Sequence, residues 1–204
     1  MRIEPATADR FDDVATVLNP TGRAQACWCM HWRLPPKEDA SRRGEYLLEL
    51  ATHEPAPGLL AYEGDEVAGW LGFAPKSASR TLQRSRVLPA GNPETWPTTW
   101  AVMCFTVRPG WRRRGVARAL LDGAVEYARA HGARMLEGYP VEPEPGRRVP
   151  VSAAFVGTVG LFEQAGFDRV APTSATSGRL PRWVLRLELD RGLDRRLDGA
   201  TGGA

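Results

Sequence analysis

The stretch at residues 100–132 constrains the fold more than any other part of this 204-residue chain. Its first part, through Val107, carries apolar side chains on both alternating faces, which is typical of a strand covered on both sides. Its last part predicts a helix, because Val116 begins an apolar repeat at every fourth residue and Gly132 follows as a left-handed cap. Such a unit needs a parallel partner strand, which we expect at residues 135–141.

The loop at residues 112–117, between this strand and helix, predicts a phosphate site. A helix start leaves backbone N–H groups unpaired and carries the positive end of the dipole, and here three arginines precede Gly115. Gly110 and Gly115 have the gap of a P-loop, but Val116 and Ala117 stand where that loop needs Lys and Ser or Thr. The dinucleotide pattern G-x-G-x-x-G is also missing from the sequence. The alternative is an ordinary turn with solvated arginines.

Composition is that of a globular protein, with 43% hydrophobic and 25% charged residues. We predict one domain at residues 1–189, with a helical and aromatic region at 20–57, and a flexible tail at 190–204. The net charge of +3 is too mild to argue for nucleic acid. Without a membrane-length apolar run or a signal-like start, the expected location is cytoplasmic, with no membrane partner. Because the chain has only three cysteines, we do not expect a disulfide framework.

Local patterns along the chain predict further helices and strands. These are a strand at 2–5, helices at 11–18 and 37–51, a hairpin of 59–62 with 67–73, a helical piece at 80–86, a helix at 159–165 capped by Thr158, and closing strands at 167–170 and 182–189.

Two motifs carry a resemblance to a known family. Arg112-x-x-Gly115-x-Ala117, after a strand ending in Val-x-Pro, resembles motif A of the GNAT superfamily, the acyl-CoA-dependent N-acetyltransferases. The segment LFEQAGF at 161–167 is similar to the family's late L-Y-E-x-x-G-F signature, and the order of elements also agrees. The resemblance implies an α/β (α+β) GNAT fold, with a mixed central sheet of about six to seven strands, flanking helices and splayed central parallel strands.

The resemblance also implies acetyl-CoA as the acyl donor and no metal. The pantetheine arm would lie in the gap between the two central strands, where backbone groups bond its amides and polarise the thioester. The residues expected there are Phe105, Thr106 and Val107. The pyrophosphate would be held by the loop amides and guanidinium groups of Arg112, Arg113, Arg114, Gly115, Val116 and Ala117.

The reaction needs a base for the amine and an acid for the leaving thiolate. Many members of the resembled family use a tyrosine of the late helix as the acid, but Phe162 stands at that position. Tyr139 and Cys104 are the replacement candidates, with core packing as the alternative for both. Glu137 is the candidate base, with capping or an arginine ion pair as its alternative.

Residues 27–32 form an unusual cysteine- and tryptophan-rich segment. If it is extended, Cys27, Cys29 and His31 share one side and offer three zinc-ligand types. The spacing is not C-x-x-C and no second cluster exists in the sequence, so we favour Trp28 and Trp32 as an aromatic wall for the acceptor. Core packing is the alternative.

The leading hypothesis is therefore an N-acetyltransferase that acts on a primary amine of a small molecule or protein. A degenerate GNAT-fold protein that only binds acyl-CoA, as a sensor or partner module, is the alternative that Phe162 favours. Nucleic-acid binding through the arginine run ranks last and would be strongly salt-dependent. The resemblance is compatible with a homodimer.

Overall fold

A computed structural model describes residues 1–34, 39–144 and 146–189. The predicted start of the second helix and the predicted tail lie outside these described residues. The strands are β1 (Arg2–Pro5), β2 (Gly58–Glu63), β3 (Glu66–Pro75), β4 (Thr99–Val107), β5 (Met135–Gly138), β6 (Asp168–Ser177) and β7 (Leu180–Glu188). The α-helices of the described part are α1 (Phe11–Leu18), α2 (Arg43–Ala51), α3 (Arg80–Gln83), α4 (Val116–Ala130), α5 (Val151–Ala154) and α6 (Val159–Gln164).

The seven described strands form one mixed sheet in the order β1-β2-β3-β4-β5-β7-β6. Only the β4–β5 pair is parallel. This confirms the predicted mixed sheet flanked by helices. None of the described helices has the length and apolar character needed to cross a membrane.

The two central strands pair over a short length and then separate. Thr99 to Val102 of β4 pair with β5, but β4 continues to Val107 while β5 ends at Gly138. Pro140 follows closely and has no N–H to donate, so the predicted strand at 135–141 is shorter than expected. The splayed gap predicted for the parallel strands is therefore present.

Helices cover both faces of the sheet. On one face, α4 packs its apolar stripe against Val102 and Phe105 of β4, and α6 joins the same cluster. On the other face, α1 and α2 pack with Met103 and the side chain of Cys104. Two consecutive residues of β4 thus face the same side, because the register with β3 shifts there in a bulge.

The hairpin β2–β3 confirms the predicted one, with a turn at Gly64, whose φ is +59°. The closing strands β6 and β7 are longer than predicted and join through a tight turn at Gly178 and Arg179, both with positive φ. The sequence pattern did not predict a turn at either residue.

The segment at 27–34 differs from its prediction. It forms successive turns instead of an extended strand, and Trp28 and Cys29 both have positive φ, at 48° and 56°. The alternation that would place Cys27, Cys29 and His31 on one side is therefore wrong, because it holds only for extended backbone.

Candidate functional site

The start of α4 has the geometry that phosphate binding requires. Gly115 occupies the N-cap position with φ +81°, which favours glycine, and no side chain caps the helix. A Cβ added at Gly115 would meet no atom within 4 Å, so the space beside the N-cap residue is open. The unpaired N–H groups and the positive end of a 15-residue helix face that space.

The three arginines before Gly115 are exposed, and within the described residues none of them forms an ion pair. Arg114 lies over the ring of Trp111, 4.5 Å from its centroid, and the Nε of Arg112 donates to the carbonyl of Val107 at 3.2 Å. Arg113 adopts a positive φ of 60°. The loop is thus an unneutralised cationic rim around the helix start.

The gap beyond the β4–β5 pairing is bridged by the segment at 155–157. The N–H of Phe105 donates to the carbonyl of Phe155 at 2.6 Å, and the N–H of Val141 donates to the carbonyl of Gly157 at 3.1 Å. Of the three β4 residues expected to bind pantetheine, Phe105 therefore already has a partner. Thr106 and Val107 continue the strand toward the cationic loop.

Glu137 lies in a buried polar network on the face opposite α4. It is 1% exposed and accepts from Lys76 Nζ at 2.7 Å and from Arg186 Nε at 2.6 Å. The hydroxyl of Tyr139 donates to the same carboxylate. The predicted base is thus held by three donors.

Burial and ion pairing act in opposite directions on Glu137. Burial raises its pKa, but Lys76 and the hydrogen bonds from Tyr139 and Arg186 outweigh burial and hold the pKa below 4.5. Tyr139 is 3% exposed, and burial together with the Glu137 charge raises its pKa well above 10. In this arrangement the tyrosine proton is directed at the carboxylate.

Cys104 is bonded to Cys29 in a disulfide, which the sequence did not predict. As a disulfide sulfur, Cys104 has no thiol proton, so in this state it cannot serve as the acid. The bond spans 75 residues and closes over Gly72, where a Cβ would lie 2.5 Å from the Cys29 sulfur. Cys27 remains a free, exposed thiol.

Phe162 is completely buried on the α4 side of the gap. Its ring lies against Gly138 and Gly157, where added Cβ atoms would collide with it. It also meets the ring of Phe105 edge-on, at 6.1 Å between centroids. The side chain at the usual acid position is therefore a packing element at the border of the gap.

The two tryptophans predicted to form one wall lie in different places. Trp28 stacks on Phe11 of α1, with 5.7 Å between ring centroids, and lies over Gly44 of α2. Trp32 borders a cleft of about 410 Å³ between the 27–34 segment and α3. Only Trp32 is therefore available to line that cleft.

Residues 1–34, 39–144 and 146–189 contain no group of three histidine, cysteine or carboxylate side chains placed to hold a metal ion.

Sequence reasoning missed three charged residues near the gap, which are Lys76, Arg182 and Arg186. Each is charged and lies outside any motif, and a charged residue in sequence predicts exposure. Lys76 and Arg182 are buried and Arg186 is half-buried, and each is held by a partner far away in the sequence, so no local signal could have identified them.

The chain resembles known proteins over more than half of its length. The family model described as the acetyltransferase (GNAT) family matches residues 24–143. A search of curated protein sequences finds no match.

Solved structures share the fold at low identity. YncA from Salmonella typhimurium, solved with its cofactor acetyl-CoA, is 17% identical, with a TM-score of 0.57 over 94% of this chain and 95% of that one. A ribosomal-protein-alanine N-acetyltransferase from Brucella melitensis is 17% identical, with a TM-score of 0.55 over 93% and 100% of the two chains. A GCN5-related N-acetyltransferase from Kribbella flavida is 18% identical, with a TM-score of 0.55 over 92% and 97%.

Proposed function

The chain belongs to the GNAT acetyltransferase family, and on that premise we propose that it is an acetyl-CoA-dependent N-acetyltransferase that transfers acetyl directly to a primary amine. The observation that carries this proposal is the uncapped start of α4 behind Gly115, beside a gap between parallel strands. Loop amides and the arginines at 112–114 would hold the pyrophosphate. The β4 backbone at 105–107 would align the thioester.

The proposed transfer is a single nucleophilic displacement with no acyl-enzyme intermediate. The amine nitrogen attacks the thioester carbonyl carbon, the C–S bond breaks, and the electron pair leaves with the sulfur of CoA. The amine loses one proton and the thiolate gains one. Backbone N–H groups aimed at the carbonyl oxygen would stabilise the charge that develops there.

Binding of acetyl-CoA is the first test, by calorimetric titration of the wild type and Gly115→Glu. We expect micromolar binding by the wild type and a loss of at least about tenfold in the variant, because the new carboxylate occupies the phosphate position. Gly132→Glu is the matched control: Gly132 has φ +77°, open space around its Cβ position, and lies just beyond the other end of α4. No binding by a folded wild type, or equal loss in both variants, contradicts the cofactor loop.

Tyr139 is our candidate acid, supported by its position one residue beyond the end of β5, where the gap opens. Tyr139→Phe should lower kcat for acetyl transfer by at least about tenfold while the affinity for acetyl-CoA is unchanged, because the variant keeps the ring but lacks the hydroxyl that would supply the proton. Transfer would be followed by mass spectrometry of the product. An unchanged kcat would contradict the acid role and leave Tyr139 only as a hydrogen-bond donor to Glu137.

The second candidate function is acyl-CoA binding without transfer. It is favoured by the buried Phe162 and by the carboxylate-bound hydroxyl of Tyr139. Acetyl-CoA binding without acetylation of any amine in a broad screen would select it. Detection of an acetylated product would support the N-acetyltransferase instead.

A cytoplasmic location and a homodimer remain predictions. Cell fractionation and light scattering of the purified protein test them.

A further inference from the structure

The cleft beside Trp32 lies on the face of the sheet opposite α4. Trp32 packs against a buried cluster that includes Ala101 of β4 and Tyr139. Val102, the next residue of β4, packs instead with α4. Through Trp32 the cleft therefore lies on the side of the central strands opposite α4, and it shares no lining residue with the proposed phosphate site.

The walls of the cleft combine an indole ring with cationic groups. They are formed by His31, Trp32, Arg80, Thr81, Arg84, Ser85 and Val87. No carboxylate is among these lining residues. Arg80 and Arg84 are exposed, and neither is in an ion pair with any residue of the described ranges.

Arg182 is a buried positive charge that acts electrostatically on His31 of this cleft. It is 5% exposed, its Nε donates to the carbonyl of Tyr139 at 2.7 Å, and no carboxylate of the described chain pairs with it. Burial lowers its pKa to about 10, so the guanidinium is still charged at neutral pH. The pKa of His31 is lowered by burial and then by Arg182 and Arg43, so both arginines act electrostatically at the cleft.

A buried guanidinium without a carboxylate is costly unless something else compensates its charge. Guanidinium groups bind carboxylate and phosphate through paired N–H donors, and indole and Val87 offer apolar contact. A volume of about 410 Å³ suits a small molecule.

We propose that this arginine-lined cleft binds the anionic group of the acyl acceptor, so that the acceptor is a small amine bearing a carboxylate or phosphate next to an apolar or aromatic part. The inference rests on the proposed transferase function for its placement of the acceptor. The binding of an anion in the cleft can be measured without any transfer.

The test uses three amines on one scaffold: 4-(aminomethyl)benzoate, 4-(aminomethyl)phenyl phosphate and the neutral 4-(aminomethyl)benzamide. We expect kcat/KM for at least one anionic amine to exceed that for the amide by about tenfold or more. Arg80→Gln and Arg84→Gln should each remove most of this preference. Arg86→Gln is the matched control, because Arg86 is exposed on the same segment but does not line the cleft.

Calorimetric binding of the same three compounds in the absence of acetyl-CoA separates the two proposals. Anion binding that is weakened in the Arg80 and Arg84 variants but not in Arg86→Gln supports the cleft even if no acetyl is transferred. Equal use and equal binding of the neutral and anionic amines, or equal effects of all three variants, overturns the inference. Loss of acetyl-CoA binding alone would count only against the transferase.

Discussion

Glu137 shows how one residue couples three strands of the sheet. It belongs to β5, its partner Lys76 directly follows β3, and its partner Arg186 belongs to β7. A buried carboxylate with two cationic partners is compensated, whereas without it Lys76 would be an uncompensated charge in the core and half-buried Arg186 would lose its ion pair. The residue that the sequence offered as a base therefore also links β5 to β7 and to the end of β3 through ion pairs.

Glu137→Gln should lower the free energy of unfolding by about 3–5 kcal/mol at pH 7, because Lys76 and Arg186 lose their counter-charge. Urea denaturation measures this. The exposed pair Glu126–Arg129 supplies the control: Glu126→Gln should change stability by less than about 1 kcal/mol. Similar effects in both variants would contradict the role of burial.

The pH dependence of this contribution has a defined sign. The folded-state pKa of Glu137 lies below 4.5, so its stabilisation is present above the unfolded-state pKa and is lost as pH falls through the folded-state value. The difference in unfolding free energy between wild type and Glu137→Gln should therefore be constant near neutral pH and shrink below about pH 4.5. A difference that grows on acidification would contradict the ion pair.

At the scale of elements, the segment at 155–157 behaves as a backbone bridge across the splayed strands. Its carbonyls accept from Phe105 on one side and from Val141 on the other. Phe155 itself is 41% exposed, so its side chain contributes less to holding the segment than a buried ring would. A pantetheine carbonyl that accepts from the N–H of Phe105 would have to displace the Phe155 carbonyl.

Hydrogen exchange followed by mass spectrometry tests this displacement. On saturation with acetyl-CoA, amides at 151–158 should exchange faster, because the segment loses its anchor, while those at 101–107 stay protected by the cofactor. Amides at 119–129 in the middle of α4 serve as the internal reference. Slower exchange at 151–158 would show that the segment stays in the gap and closes on the ligand.

For the whole molecule, the Cys29–Cys104 bond ties the turn-rich segment of residues 27–34 to the central strand. It joins positions 75 residues apart, so it restricts the unfolded chain strongly. The same bond fixes the backbone that carries Trp32, and with it one wall of the arginine-lined cleft.

Reduction should therefore lower the free energy of unfolding by about 2–4 kcal/mol. Guanidinium denaturation with and without a phosphine reductant measures the loss. Cys29→Ser/Cys104→Ser should be as unstable as the reduced wild type and insensitive to reductant, whereas Cys27→Ser should keep the full effect. A reductant effect that survives in the double variant would contradict the assigned pairing.

The sequence was sufficient for features that depend on neighbouring residues. The apolar period of α4, the positive-φ glycine before it and the hairpin turn are local requirements of backbone geometry and burial. The motif at 112–117 indicated a resemblance to the GNAT family, and the mixed sheet was predicted from that resemblance. Boundaries failed where local propensity was weak, as at the end of β5.

Only the tertiary structure decided which distant groups meet. The disulfide joins positions 75 residues apart, and Lys76 reaches Glu137 across 61 residues. Arg186 does so across 49 residues. The side-chain periodicity of one segment carries no information about such pairs, because burial of a charge becomes favourable only once its partner is in place. The sequence by itself determined the helix that can receive a phosphate, whereas packing decided what surrounds the gap beside it.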